Sequence, residues 1–168
     1  MNERDEDMSR YAKIMKNDIV DGEGVCVSLW MQGCPFRCYN CHNPQTWEFD
    51  GGYELPLDIR GQLIKDISEN GIIRNFSVLG GEPLCPENIE DVSEIISGIR
   101  VAYPQIKIFV WTGYTLEQLQ KRNDIYVNNI LSHIDVLIDG PFIEAEKDLN
   151  LHLRGSKNQR ILHKNIDF

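Results

Sequence analysis

Val25-Cys26-Val27-Ser28-Leu29-Trp30-Met31-Gln32-Gly33-Cys34-Pro35-Phe36-Arg37-Cys38-Tyr39-Asn40-Cys41 joins a compact apolar run to a loop carrying three thiols. Val25 to Met31 is rich in strand formers and stops at Gly33, as a buried strand feeding a turn does. The same design recurs outward along the chain. Phe76-Ser77-Val78-Leu79 ends in Gly80-Gly81-Glu82-Pro83, Ile106 to Trp111 ends in Thr112-Gly113-Tyr114, and Ile134 to Ile138 ends in Asp139-Gly140-Pro141. Helical patterns lie between them. Leu57 to Ser68 puts Leu57, Leu63, Ile64 and Ile67 on one face. Asn88 to Ala102 repeats Ile89, Val92, Ile95, Ile96 and Ile99 at three- and four-residue steps before Pro104. Thr115-Leu116-Glu117-Gln118 has capping-box form and opens a further helix.

Strand alternating with helix predicts an α/β fold of parallel strands wrapped by helices. A closed eight-unit barrel takes about 250 residues. At 168 residues the expectation is an incomplete, TIM-like barrel or an open sheet. The chain reads as a single domain over 1–168, with 1–10 a flexible polar leader. Parallel α/β folds build their sites beyond the C-terminal ends of the strands. The cysteine loop and the three other strand-ending loops therefore converge on one rim.

Bulk properties narrow the function. The chain is 42% apolar, enough for a core, and carries a formal charge of −9. That balance argues against nucleic acid as a partner, which requires a dense basic footprint. No stretch approaches eighteen apolar residues, so no membrane span is expected. The N-terminus, Met1-Asn2-Glu3-Arg4-Asp5-Glu6-Asp7, lacks the apolar core of a secretory signal, which predicts a cytoplasmic protein. Thiols stay reduced there, so the five cysteines read as metal ligands or core residues.

Cys34, Cys38 and Cys41 supply three soft ligands where a zinc ion or an iron–sulfur cubane wants four. Three readings compete. A structural zinc site needs His42 or Cys85 as the fourth ligand, yet adjacent Cys41 and His42 seldom both reach one tetrahedral ion. Covalent haem fits the Cys38-Tyr39-Asn40-Cys41-His42 pattern, but belongs to exported proteins. The third reading is a [4Fe–4S] cluster with one iron left open. The CxxxCxxC spacing favours it and is the signature of the radical S-adenosylmethionine (SAM) enzymes.

Further motifs sharpen this. They are Asn17-Asp18-Ile19-Val20-Asp21-Gly22-Glu23-Gly24, Gln32-Gly33-Cys34, Cys41-His42-Asn43-Pro44-Gln45-Thr46-Trp47, Gly80-Gly81-Glu82-Pro83-Leu84, Trp111-Thr112-Gly113-Tyr114, Asp135-Val136-Leu137-Ile138-Asp139-Gly140-Pro141-Phe142 and Arg154-Gly155-Ser156-Lys157-Asn158-Gln159-Arg160. In these the chain resembles the activating proteins of anaerobic (class III) ribonucleoside-triphosphate reductases, small radical SAM enzymes. One departure from the wider superfamily is Asn40, where an aromatic often precedes the third cysteine.

The resemblance implies an incomplete barrel of radical SAM type, a [4Fe–4S] cluster on Cys34, Cys38 and Cys41, and SAM chelating the open iron. It further implies a glycyl radical placed on the reductase as protein substrate, with an electron from a flavodoxin- or ferredoxin-type donor. Gly80, Gly81 and Glu82 suit the methionyl end of SAM, glycines permitting close backbone approach; the bland alternative is a strand-to-helix turn. Thr112 and Asp139 are candidates for the ribose or carboxylate side, or else a turn and a cap. Asn40 and His42 flank Cys41 and so lie near bound SAM. Cys26 and Cys85 read as small buried hydrophobes. Trp30, Trp47 and Trp111 are either part of the SAM pocket or, more simply, core packing. The basic run Arg154–Arg160, within a partner-facing C-terminal segment 150–168, is either a solvated tail or a segment that docks the reductase or closes as a lid over SAM.

Overall fold

The computed structural model describes residues 8–168. In chain order it runs β1 (Arg10–Asp18), β2 (Cys26–Met31), β3 (Tyr53–Glu54), α1 (Ile59–Ile67), β4 (Asn75–Gly80) and α2 (Ile89–Ala102). Then follow β5 (Ile108–Trp111), α3 (Leu116–Lys121), α4 (Ile125–His133), β6 (Val136–Asp139) and β7 (Arg160–His163). The strands form one seven-stranded sheet in the order β3-β1-β2-β4-β5-β6-β7. Its centre, β2-β4-β5-β6, is parallel. The flanking strands β1, β3 and β7 pair antiparallel.

Alternation along the strands gives the sheet two unlike faces. Val27, Leu29 and Met31 of β2, Phe76 and Val78 of β4, Ile108 and Val110 of β5, and Leu137 of β6 join one apolar cluster. Buried residues of α1, α2, α3 and α4 complete that cluster, so the helices cover this face. The opposite side chains are Cys26, Ser28, Trp30, Ser77, Leu79, Phe109, Trp111, Val136 and Ile138. Only Phe109, Val136 and Ile138 among them form an apolar cluster, with Trp111, Leu153 and Ile161 packed against it. The expectation of strands wrapped by helices thus holds for one face. Loops line the other.

Local sequence explains the helices. α2 presents its isoleucine stripe to the sheet and has Glu90 and Asp91 in its first turn and Arg100 in its last, matching the helix dipole. α3 begins at the expected capping box, Thr115 accepting from the Gln118 N–H while Gln118 accepts from the Thr115 N–H. One expectation fails: Leu57 is 93% exposed. The helix starts only at Ile59 after Asp58, so Ile59 takes the core position. Of the leader expected over 1–10, residues 1–7 lie outside the described residues. Ser9 is buried and donates its N–H to Asp91 Oδ2 at 3.1 Å, and Arg10 opens β1.

Candidate active site

The ends of β2, β4, β5 and β6 meet around a cavity of about 720 Å³. Trp30, Leu79 and Trp111 rise into it from the face without helices. The cysteine loop forms one wall, and Cys34, Cys38 and Cys41 all line it. Backbone bonds hold the loop: Gly33 N–H donates to Thr46 O at 2.8 Å, Cys34 N–H to Trp47 O at 3.0 Å, and Cys41 N–H to Cys38 O at 3.0 Å. Gln32 anchors its base, donating Nε2–H to the Gln45 and Glu48 carbonyls at 3.0 and 2.8 Å.

The donor set suits the group that the motif implies. Burial pushes the Cys34 thiol up to about 11 and also raises Cys38. Such thiols become thiolates when a positive iron compensates the desolvation. Among the described residues no three His, Cys, Asp or Glu side chains converge on one ion position. A lone zinc draws every ligand to roughly 2.0–2.3 Å of one centre. A cubane takes each cysteine on a different iron, and Cys34, Cys38 and Cys41, all lining one cavity, offer the three soft donors it needs. The Asn43 N–H also donates to Cys41 Sγ at 3.4 Å, the kind of bond that tunes a cluster's potential.

The glycines at the end of β4 are demanded by close approach. Gly80 has φ +106°, and a Cβ there would lie 2.7 Å from the Met31 N and O atoms. A Cβ on Gly81 would collide with Gly33 O at the cysteine loop. Both glycines line the cavity. Glu82 is a different matter. Its buried carboxylate accepts from Leu84 N–H at 2.9 Å, Thr112 Oγ1–H at 2.7 Å and Gly113 N–H at 2.7 Å. Burial still pushes it up to about 7, against the pull of those donors. Its N–H donates to Gly33 O at 2.8 Å. Glu82 therefore ties the cysteine loop, the end of β4 and the end of β5 together.

The other expected residues separate. Thr112 lines the cavity but spends its hydroxyl on Glu82 and on the Tyr114 N–H, which it accepts at 3.1 Å. Asp139 is fully buried, outside the cavity lining, and accepts from Leu116 N–H at 2.8 Å and from Arg160 Nε–H at 3.0 Å. It caps α3 and holds β7. His42 lines the cavity, its ring 5.1 Å from that of Phe142. Asn40 takes a left-handed turn, φ 55°, exposed outside the lining. Cys26 and Cys85 are buried away from the cavity, donating to Glu23 O and Glu82 O at 3.5 and 3.1 Å. All three tryptophans line the cavity, so packing alone does not describe them.

Two walls had no site role in the sequence: the turn Ile19–Gly22 and the segment Leu149, Leu151, His152 and Leu153, whereas Arg154, Gly155 and Gln159 of the expected lid run do line the cavity. The strand-like alternation Leu149, Leu151, Leu153 was the available signal for the second. Asp18 builds the first, its Oδ1 accepting from Val20 N–H at 2.9 Å and Asp21 N–H at 3.0 Å while Ser28 Oγ–H donates to Oδ2 at 2.7 Å. Asp21 enters the cavity lining, and burial pushes its carboxyl up to about 7.

Residues 20–162 match the family described as a 4Fe-4S single cluster domain. Fold and site together define a mixed α/β iron–sulfur protein. The anaerobic ribonucleoside-triphosphate reductase-activating protein of Haemophilus influenzae is 36% identical over 155 residues, covering 92% of this chain and 97% of its own. Its counterpart in Escherichia coli (strain K12) is 36% identical over 154 residues, with 91% and 97% covered. That of Enterobacteria phage T4 is 34% identical over 153 residues, with 90% and 92% covered. The chain belongs to the family of anaerobic ribonucleoside-triphosphate reductase-activating proteins. No described helix is long and apolar enough to cross a membrane.

Proposed function

We propose that this chain is a radical SAM activase that generates the glycyl radical of an anaerobic ribonucleoside-triphosphate reductase. In this reading Cys34, Cys38 and Cys41 hold a [4Fe–4S] cluster, and β2, β4, β5 and β6 act as an incomplete TIM-like barrel around SAM. One observation carries it: a three-thiol loop and the glycine end of β4 face one cavity, in a chain whose relatives are named for activating that reductase. Held by Cys34, Cys38 and Cys41, the cluster would supply one-electron reductive cleavage of SAM, with the electron coming from a flavodoxin- or ferredoxin-type donor, and so the means to remove a hydrogen atom from a reductase glycine.

The chain's own residues place the ligand and keep water out. Gly80 and Gly81 leave backbone carbonyls open to the methionyl ammonium. Glu82, its carboxylate engaged by three donors, keeps the cysteine loop in register with the ends of β4 and β5. Trp30, Leu79 and Trp111 supply an apolar wall, which suits chemistry that water and stray hydrogen donors would spoil. Thr112 and Asp139 brace the rim, while Asn40 and His42 shape the approach to Cys41. Ile19, Val20 and Leu149 are 75%, 74% and 84% exposed, and all three line the cavity. Aliphatic side chains exposed at a cavity suit a protein substrate that covers them.

The test is anaerobic reconstitution, reduction and incubation with SAM and the reductase. The expected result is a glycyl doublet by electron paramagnetic resonance (EPR), with 5′-deoxyadenosine formed alongside it. 5′-Deoxyadenosine without a radical on the reductase would overturn the assignment of the substrate.

A further inference from the structure

Among the described residues, Arg154 is the one lysine or arginine lining the cavity, on a chain of formal charge −9. No carboxylate lies within ion-pair distance of it among the described residues, although Arg10, Arg37, Arg100, Arg122 and Arg160 each have one. Its hydrogen bonding is limited to Nη1–H donating to Gln159 O at 2.9 Å. The Nε–H is buried with no acceptor among the described residues. A guanidinium offers a planar fork of donors shaped for a carboxylate, and leaving one unmet while buried is costly.

Its position is fixed by its neighbours. The Gly155 and Ser156 N–H groups donate to Gln159 Oε1 at 2.9 and 3.1 Å, and Gln159 Nε2–H reaches Gly140 O at 3.0 Å. The turn is thereby pinned to the end of β6. A Cβ on Gly155 would lie 3.2 Å from the Phe142 ring and 3.5 Å from His42 Nε2. Arg154 thus stands at the cysteine end of the cavity.

We infer that Arg154 is the binding site for the carboxylate of the methionyl group of SAM, an assignment that rests on the reading of the cavity as a SAM site. Charge selects this group. SAM carries a sulfonium, an ammonium and a carboxylate, and only the carboxylate is negative. The acids in the lining, Asp21, Glu82 and Asp148, suit the cationic groups. Turning the guanidinium toward the cavity would bring its free fork to the carboxylate with no other ion pair to break.

The experiment measures affinity, by calorimetry on the anaerobic, cluster-loaded protein, for SAM and for decarboxylated SAM. Losing one charge-assisted pair is expected to weaken SAM binding about 10- to 100-fold in Arg154→Gln. Binding of decarboxylated SAM should change less than about twofold, because the group that Arg154 meets is gone. Arg154→Lys, which keeps charge without the fork, should fall between. Iron content and the visible cluster spectrum of each variant check that the loop is intact. Equal losses for both ligands, or full SAM affinity in Arg154→Gln with weakened binding to the reductase alone, would overturn the assignment. Wild-type protein that holds its cluster but binds no SAM would instead remove the function on which it rests.

Discussion

The two faces of the central sheet are built from the same strands and obey different rules. Toward the helices, β2 and β4 present Val27, Leu29, Met31, Phe76 and Val78 to a continuous apolar core. On the opposite face they present Cys26, Ser28, Trp30, Ser77 and Leu79, of which Trp30 and Leu79 line the cavity, under loops that side chains tie down. One face stabilises by close packing, where missing volume is the costly event. The other is held by individual hydrogen bonds and close backbone approaches, so damage there should appear in what the protein binds before it appears in whether it folds. Function sits on the face with less redundancy.

Substitutions that separate binding from folding break the comparison most sharply. Replacing Cys34, Cys38 or Cys41 with Ala should take bound iron from about four per chain to a small residue, while the melting of iron-free protein barely moves. Cys26→Ala and Cys85→Ala should keep their iron. Iron and sulfide analysis on anaerobically purified protein reads both. Colourless wild-type protein with one zinc would remove the distinction between the faces.

The reverse behaviour is expected on the helix side. Phe76 and Ile96 are fully buried in the apolar cluster. Phe76→Ala or Ile96→Ala should cost about 2–5 kcal/mol in denaturant unfolding, with the folded fraction still taking up iron. Gly81→Ala should do the opposite, because the added Cβ meets Gly33 O at the base of the cysteine loop. Its iron retention should suffer more than its unfolding midpoint.

A pH series sharpens the contrast further. Burial and then the neighbouring Asp18 carboxylate push Asp21 from 3.8 up to about 7. The folded state therefore holds this proton over a range where the unfolded chain has released it. Stability contributed by Asp21 falls as pH rises from about 4 to about 7, and is level above that. Asp21→Asn should gain on wild type across that window in urea titrations of iron-free protein, and the gain should stop growing above it. The smallest effect is expected at Leu57, exposed ahead of α1: Leu57→Ser should shift stability by no more than about 0.5 kcal/mol.

The helix face was legible in the sequence because packing against a sheet imposes a repeat. Isoleucines from Ile89 to Ile99 and the alternation of Phe76 and Val78 declare it without tertiary information. The flanking strands were not legible. β1 reads Arg-Tyr-Ala-Lys-Ile-Met-Lys-Asn-Asp and is mostly half-exposed or exposed, so no apolar run marks it. β7 is four residues inside a polar tail. α4 carries only two buried residues, Val127 and Ile130. At the site, position on the rim was readable, while the direction of each side chain was not. Glu82 and Asp139 both follow strand ends, yet Glu82 turns to donors thirty residues on, at Thr112 and Gly113, and Asp139 to Arg160. Those partners are set by the folded chain.

In the proposed function, three thiolates leave one iron of a cubane free for SAM. EPR of the reduced, cluster-loaded protein before and after addition of SAM addresses that iron directly. The expected result is a [4Fe–4S] signal whose g values change on addition of SAM and stay put with decarboxylated SAM, which lacks the chelating carboxylate. A spectrum unchanged by saturating SAM would contradict it, since every iron would then already be fully ligated by the protein.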